Sequence, residues 1–232
     1  MTVGPLIRQE VLDALRRLDT CTVSDAIETF DTRLRNVGFA DDRVRCMFED
    51  LPPLIGYAAT ARLQTGDPPM TGGHFHDHTE WWNSILQILP PRIVVLEDMD
   101  RPPGLGAFVG NMHAAILRAL GCVGYVTNGA VRQLPTVREL GLHLFAGEVS
   151  VSHAYAHLFD FGCAVKIGNL EVQPGALLHG DRHGLLSVPK SIASQIPAVA
   201  AKLRQTEQRV IDFCGSKQFS VDKLRQVMKE LV

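Results

Sequence analysis

From Ile93 to Phe145 the chain reads IVVLEDMDRPPGLGAFVGNMHAAILRALGCVGYVTNGAVRQLPTVRELGLHLF. Ile93-Val94-Val95-Leu96 is a continuous β-branched and aliphatic run ending in Glu97-Asp98, the texture of a strand buried on both faces. Asn111 to Leu120 has helical spacing and stops at Gly121, Val123 to Thr127 is a second buried strand, Arg132 to Leu140 a short helical segment, and Leu142 to Phe145 a third strand. Strand, helix, strand, helix, strand within about fifty residues predicts parallel βαβ units with right-handed crossovers. Working outward, Ile55 to Gln64 alternates as a strand, Thr65 to His78 is a loop rich in Gly, Pro and His, and a helix follows from about Thr79 to Leu89 before Pro90-Pro91. Ile7 to Leu18 carries apolar residues at helical spacing, and Thr22 or Ser24 is a candidate cap for a second short helix. Beyond Phe161 the pattern changes to short runs, Ala164–Ile167, Leu170–Val172, Ala176–Leu178 and Leu185–Val188, with turns at Gly168-Asn169, Pro174-Gly175 and Gly180-Asp181. These predict an antiparallel β layer on the α/β half. Amphipathic helices are expected over Lys190 to Phe213 and Val221 to Val232. The expectation is one domain over 1–232, with a core at about 20–189 and a helical extension at 190–232.

Composition narrows the function. The chain has 232 residues, 46% hydrophobic, with 23 basic and 25 acidic side chains and a formal net charge of −2. That length buries about three quarters of the unfolded surface, enough for one sizeable core. A charge near zero with no basic run excludes the electrostatic footprint of a nucleic-acid binder and a polybasic membrane anchor. No apolar stretch reaches membrane-spanning length, and the start of the chain is too quickly charged for a secretory leader. Five scattered cysteines without a CxxC pair fit a reducing compartment, so a cytoplasmic protein is expected.

Four groups of residues can carry chemistry. The first, His74, His76 and His78, stands at alternate positions of a loop, where three imidazoles converge on one Zn²⁺ or Ni²⁺ if the loop is extended. A solvated loop against Trp81 and Trp82 is the reading preferred here. The second, Gly110-Asn111-Met112-His113, opens a helix after a Gly/Pro-rich loop. Its backbone N–H groups suit a carboxylate or phosphate, and equally an ordinary turn with Asn111 as N-cap. The third, Asn128-Gly129-Ala130-Val131-Arg132, follows a strand, where ligands of open α/β sheets gather. Arg132 there either grips a carboxylate or keto oxygen, or pairs with Glu139 on the surface; the first is preferred because two anion-binding devices follow neighbouring strands. Last, Asp181 within His179-Gly180-Asp181-Arg182-His183-Gly184 reads as an Asx turn, with His179 and His183 left open.

Taken together, Ser24-Asp25-Ala26, Gly110–His113, Gly121 through Arg132, Phe145-Ala146-Gly147, Val172–Gly175, Gly180–Gly184 and Val188-Pro189 resemble the RraA-like proteins and 4-hydroxy-4-methyl-2-oxoglutarate aldolases. Members of this family are often mislabelled demethylmenaquinone methyltransferases. This chain carries no glycine-rich motif for S-adenosylmethionine. The resemblance implies a swivelling α/β/α-type domain assembled as a homotrimer or homohexamer. It also implies a Mg²⁺ or Mn²⁺ ion that holds a pyruvate enolate during retro-aldol cleavage of a 4-hydroxy-2-oxo acid or decarboxylation of oxaloacetate. By the same resemblance the Gly110–His113 turn meets the substrate carboxylate and Arg132 the keto oxygen. The chain departs from the family at two acidic places, with Gln133 at the metal-ligating Asp and Asn111 at the second. Mg²⁺ prefers hard anionic oxygen, and one charge at about 4 Å is worth up to roughly 4 kcal/mol at an effective dielectric of 20. Weak or absent metal binding is therefore expected. A metal-assisted lyase, a silent 2-oxo acid binding protein and a ribonuclease-type regulator acting by protein interaction all remain open at this stage.

Overall fold

The computed structural model describes residues 7–69 and 78–230. Helices α1 (Gln9–Leu15) and α2 (Thr20–Glu28) bury Val11, Leu12, Leu15, Val23 and Ile27. The helix expected through Leu18 breaks three residues earlier because Asp19 caps α2, its carboxylate accepting the Thr22 N–H at 2.8 Å. Thr22 and Ser24, the expected caps, lie inside the helix instead. A carboxylate just before the first turn also suits the positive dipole end.

The chain continues as β1 (Arg45–Cys46), β2 (Leu54–Gln64), α3 (His78–Leu86), β3 (Arg92–Asp98), β4 (Ala107–Val109), α4 (Asn111–Ala119), β5 (Cys122–Thr127), β6 (Ala130–Val131), α5 (Leu134–Glu139), β7 (His143–Ala146) and β8 (Glu148–Val149). Then follow β9 (His157–Phe161), β10 (Val165–Ile167), β11 (Leu170–Val172), β12 (Leu177–Asp181), β13 (Gly184–Val188), α6 (Ile196–Cys214) and α7 (Val221–Glu230). The main sheet runs β1-β7-β5-β3-β2-β12-β13, with β9 also on β2. β2, β3, β5 and β7 are mutually parallel, as the alternation with helices predicts. The antiparallel strands β12 and β13 extend that same sheet.

Closure comes from one segment. Phe39 bridges Leu186 and the Ala40 N–H reaches Leu185 O on β13, while five residues later Arg45–Cys46 pairs with β7 at the other edge. The sheet is thus nearly a barrel, which leaves few unpaired strand edges. Period-two geometry sends alternate residues of one strand to two cores. Ile93 and Val95 point into the interior with Val126, Phe145 and the β10–β11 hairpin. Val94 and Leu96 point outward to Trp81, Leu117 and Val137 under α3, α4 and α5. A third cluster joins α1, α2 and α6 to the outer face of β2, β12 and β13. Among the described residues no helix is long and apolar enough to cross a membrane, and all five cysteines are free.

Candidate functional site

Three strands too short to show periodicity build the site. β4, β6 and β8 form a separate parallel sheet, each placed after one of the long strands β3, β5 and β7. Val109 lies in register with Val131, so the residues after them, Gly110 and Arg132, emerge side by side. It is this small sheet, beyond the carboxyl ends of the long strands, that brings the two predicted turns together.

The contact between them is close. The Asn111 N–H donates to Gln133 Oε1 at 3.0 Å. A Cβ on Gly110 would lie 2.4 Å from that oxygen and 3.2 Å from Arg132 Cγ. Gly110 has an ordinary extended φ of −127°, so glycine stands there for space. Gly110, not Asn111, is the N-cap of α4, and the Asn111 side chain turns back so that its Oδ1 accepts the Met112 N–H at 2.7 Å. Helix α5 starts at Leu134 rather than at Arg132, because Gln133 adopts the left-handed conformation (φ 55°, ψ 40°) that turns the chain between β6 and the helix. A non-glycine residue there is strained, a feature that concentrates at functional sites. Arg132 is half-buried, its Nε sealed from solvent with no hydrogen-bond partner among the described residues. No ion pair joins it to Glu139 among those residues, so the surface pairing considered for it is not made.

A cavity of about 430 Å³ adjoins the turn, lined by Phe108, Met112, His113, His153, Tyr155 and His157. The His113 ring lies 4.7 Å from that of Phe108. His153 Nδ1 meets the Ala107 carbonyl at 2.6 Å and His157 Nδ1 that of Tyr155 at 2.7 Å, so both Nδ1 atoms carry the proton. Behind the cleft, Asn128 clamps Asp98 through both amide atoms, at 2.7 and 2.9 Å. Burial raises the Asp98 pKa, although its carboxylate accepts the N–H groups of Gly104 and Asp100 and so folds the Pro-rich loop.

A family model described as Aldolase/RraA matches residues 20–186. The chain belongs to the RraA-like family. A Halalkalibacterium halodurans protein provisionally named a 4-hydroxy-4-methyl-2-oxoglutarate aldolase is 22% identical over 203 residues, 86% of each chain. Among solved structures, an uncharacterised Pseudomonas syringae pv. tomato protein has a TM-score of 0.73 at 22% identity, covering 99% of this chain and 100% of its own. Streptomyces coelicolor RraAS2, described as an unusual member of the RNase ES inhibitor RraA family, has a TM-score of 0.69 at 20% identity over 88% of this chain and 97% of its own. At these identities the structures establish a shared RraA-like fold.

The divalent metal of catalytic RraA-like relatives does not fit the residues present. At the two positions where the resemblance implies acids, Gln133 Oε1 and Asn111 Oδ1 are neutral, and each accepts a backbone N–H. Among the described residues no three His, Cys, Asp or Glu side chains stand together as a metal site. His74 and His76 lie outside the described residues, and of His78 only the backbone, which opens α3, is described.

The remaining candidate loop is structural and lies elsewhere. Gly180 pairs with Leu54 at the start of β2, so Asp181 and His183 sit at the end of the sheet opposite Arg132. Asp181 accepts the N–H groups of His183 and of Thr20 in the first turn of α2, both at 2.8 Å. Burial opposes its charge, but these bonds win and lower its pKa. His179 Nε2 donates to Leu15 O and Nδ1 accepts from the Thr20 hydroxyl, each at 3.1 Å, fastening both N-terminal helices to β12.

Proposed function

We propose that this RraA-like protein acts in the cytoplasm on a small 2-oxo acid or 4-hydroxy-2-oxo acid held between the Gly110–His113 turn and Arg132. The observation that carries the reading is the 3.0 Å bond from Asn111 N–H to Gln133 Oε1, which sets Arg132 beside the turn. The aldolase name of the Halalkalibacterium relative supports the substrate class. Retro-aldol cleavage and oxaloacetate decarboxylation both drive negative charge onto the keto oxygen as a C–C bond breaks. A half-buried guanidinium is suited to hold that oxygen, since a fixed positive charge in a partly desolvated cleft stabilises the charge that develops. With no carboxylate at position 133 or 111, lyase turnover is expected to be low, and added Mg²⁺ or Mn²⁺ to change it little.

The test is binding and turnover together. Oxalate, a mimic of the pyruvate enolate, is expected to raise the melting temperature of the wild-type protein, and Arg132→Ala to abolish that shift. Oxaloacetate decarboxylation measured alongside is expected to be slow and nearly metal-independent. An undiminished oxalate shift in Arg132→Ala places the ligand elsewhere. Strong Mg²⁺-dependent turnover of the wild type contradicts the role given to Gln133.

A trimer or a dimer of trimers is the assembly we propose. Met112, Val149, Val151 and Tyr155 stand exposed around the small sheet, an apolar group that a neighbouring subunit would cover. Light scattering at micromolar concentration is expected to give a trimer or hexamer mass, and a monomer refutes the assembly.

A further inference from the structure

The two amides at the cleft are oriented by what their oxygens do. An N–H donor requires an acceptor, so the Asn111 N–H fixes Gln133 with Oε1 inward, and the Met112 N–H fixes Asn111 with Oδ1 inward. Each amide must then turn its NH₂ group the other way, and both side chains are exposed at the mouth of the turn. Arg132 completes the group, its Cγ so close to Gly110 that a Cβ there would lie 3.2 Å away. Among the described residues no carboxylate bonds Asn111, Arg132 or Gln133. The positive end of the nine-residue helix α4 adds to the potential.

We infer that Asn111, Arg132 and Gln133 form a donor-only cradle that holds a small carboxylate dianion directly, without a metal ion. The inference rests on the 2-oxo acid reading above and specifies its ligand chemistry. Replacing the two acids of the family pattern by amides does more than remove ligands for a cation. Each amide oxygen is held by a backbone N–H, which leaves the NH₂ groups as the parts free to meet an anion, where acids would offer only acceptors that need a bridging metal. A guanidinium with two amide NH₂ groups makes charge-assisted hydrogen bonds to carboxylate oxygens.

Oxalate titration by calorimetry tests this on the full chain, once in excess EDTA and once with Mn²⁺. The expected result is the same affinity in both, within about twofold. Gln133→Glu is the informative variant. It keeps the length of the side chain and the oxygen that caps the Asn111 N–H, so the folded turn is preserved, and an unchanged melting temperature without ligand checks this. It replaces the outward NH₂ by a charged oxygen, and oxalate binding in EDTA is expected to weaken by at least about tenfold, the loss of one charge-assisted hydrogen bond. Wild-type binding that appears only with Mn²⁺ overturns the cradle while leaving the oxo-acid reading intact. Undiminished binding by Gln133→Glu in EDTA also overturns it, by showing that the outward amide does not hold the ligand. Absence of oxalate binding under both conditions overturns the oxo-acid reading, and the cradle with it.

Discussion

Between pH 6.5 and about 4 the protein is expected to lose about 3 kcal/mol of stability through one side chain, His143. It opens β7, is only 5% exposed, and stacks on Phe145 at 5.0 Å with Phe48 at 6.5 Å on another side. Neither ring nitrogen has a hydrogen-bond partner among the described residues. Burial, helped by the positive charge of Arg16, pushes its pKa down from 6.5 to about 4, against the weaker pull of Asp181 and Asp50. The folded protein therefore holds the neutral ring while the unfolded chain takes up a proton below 6.5. Stability from this group is complete above pH 6.5 and is lost as pH falls toward the folded value. For a chain of this size that is roughly 6–12 °C of melting temperature. Because carboxylates begin to take up protons toward the lower end of this range, the measurement is the difference between wild type and His143→Phe. The variant's curve is expected to be the flatter of the two between pH 6.5 and 4.5, and parallel curves refute the assignment.

The second large effect is a gain. Gln133→Asp is expected to tighten Mg²⁺ or Mn²⁺ binding and to accelerate oxaloacetate decarboxylation by as much as about a thousandfold. One anionic oxygen near the ion contributes up to roughly 4 kcal/mol at an effective dielectric of 20, and each 1.4 kcal/mol is a factor of ten. Position 133 already sits beside Arg132 and the turn at Gly110, so the new carboxylate arrives in a formed cleft. Asp is also among the residues most tolerant of the left-handed backbone found there. Its shorter side chain gives up the bond to the Asn111 N–H, which the first turn of an exposed helix can satisfy with water. Metal titration and the decarboxylase assay on the two proteins check this. A variant with no gain in either refutes the expectation that an acid at position 133 restores a metal site.

The long elements were legible from local pattern because a strand buried on both faces must be apolar at every position. Ile93 to Leu96 and Val123 to Thr127 read as such strands, and Gly121 marked where α4 stopped, whereas α3 ends at Leu86, short of Pro90-Pro91. The antiparallel strands after Phe161 were legible through their turns, except that Gly180 and Asp181 pair within β12 and the last turn falls at Arg182-His183. The turn at Gly110–His113 and Arg132 also stood out in the sequence, and the small sheet sets them side by side. Short elements were not legible: Ala107–Val109, Ala130–Val131 and Glu148–Val149 have two or three residues each, too few for any period to register. Asp19 displaced Thr22 and Ser24 as a cap, since all three are good caps and only the path of the chain decides which stands one residue before the helix. What the sequence by itself determined is therefore the order and type of the long elements, the family, and the neutral amides at positions 111 and 133. Tertiary structure alone decided that residues 39–46 bring the sheet close to a barrel and that Gly110 and Gln133 meet. It also decided that each of the two amide oxygens accepts a backbone N–H. These are contacts between residues far apart in the chain, and their hydrogen-bond geometry exists only once the strands have been laid in register.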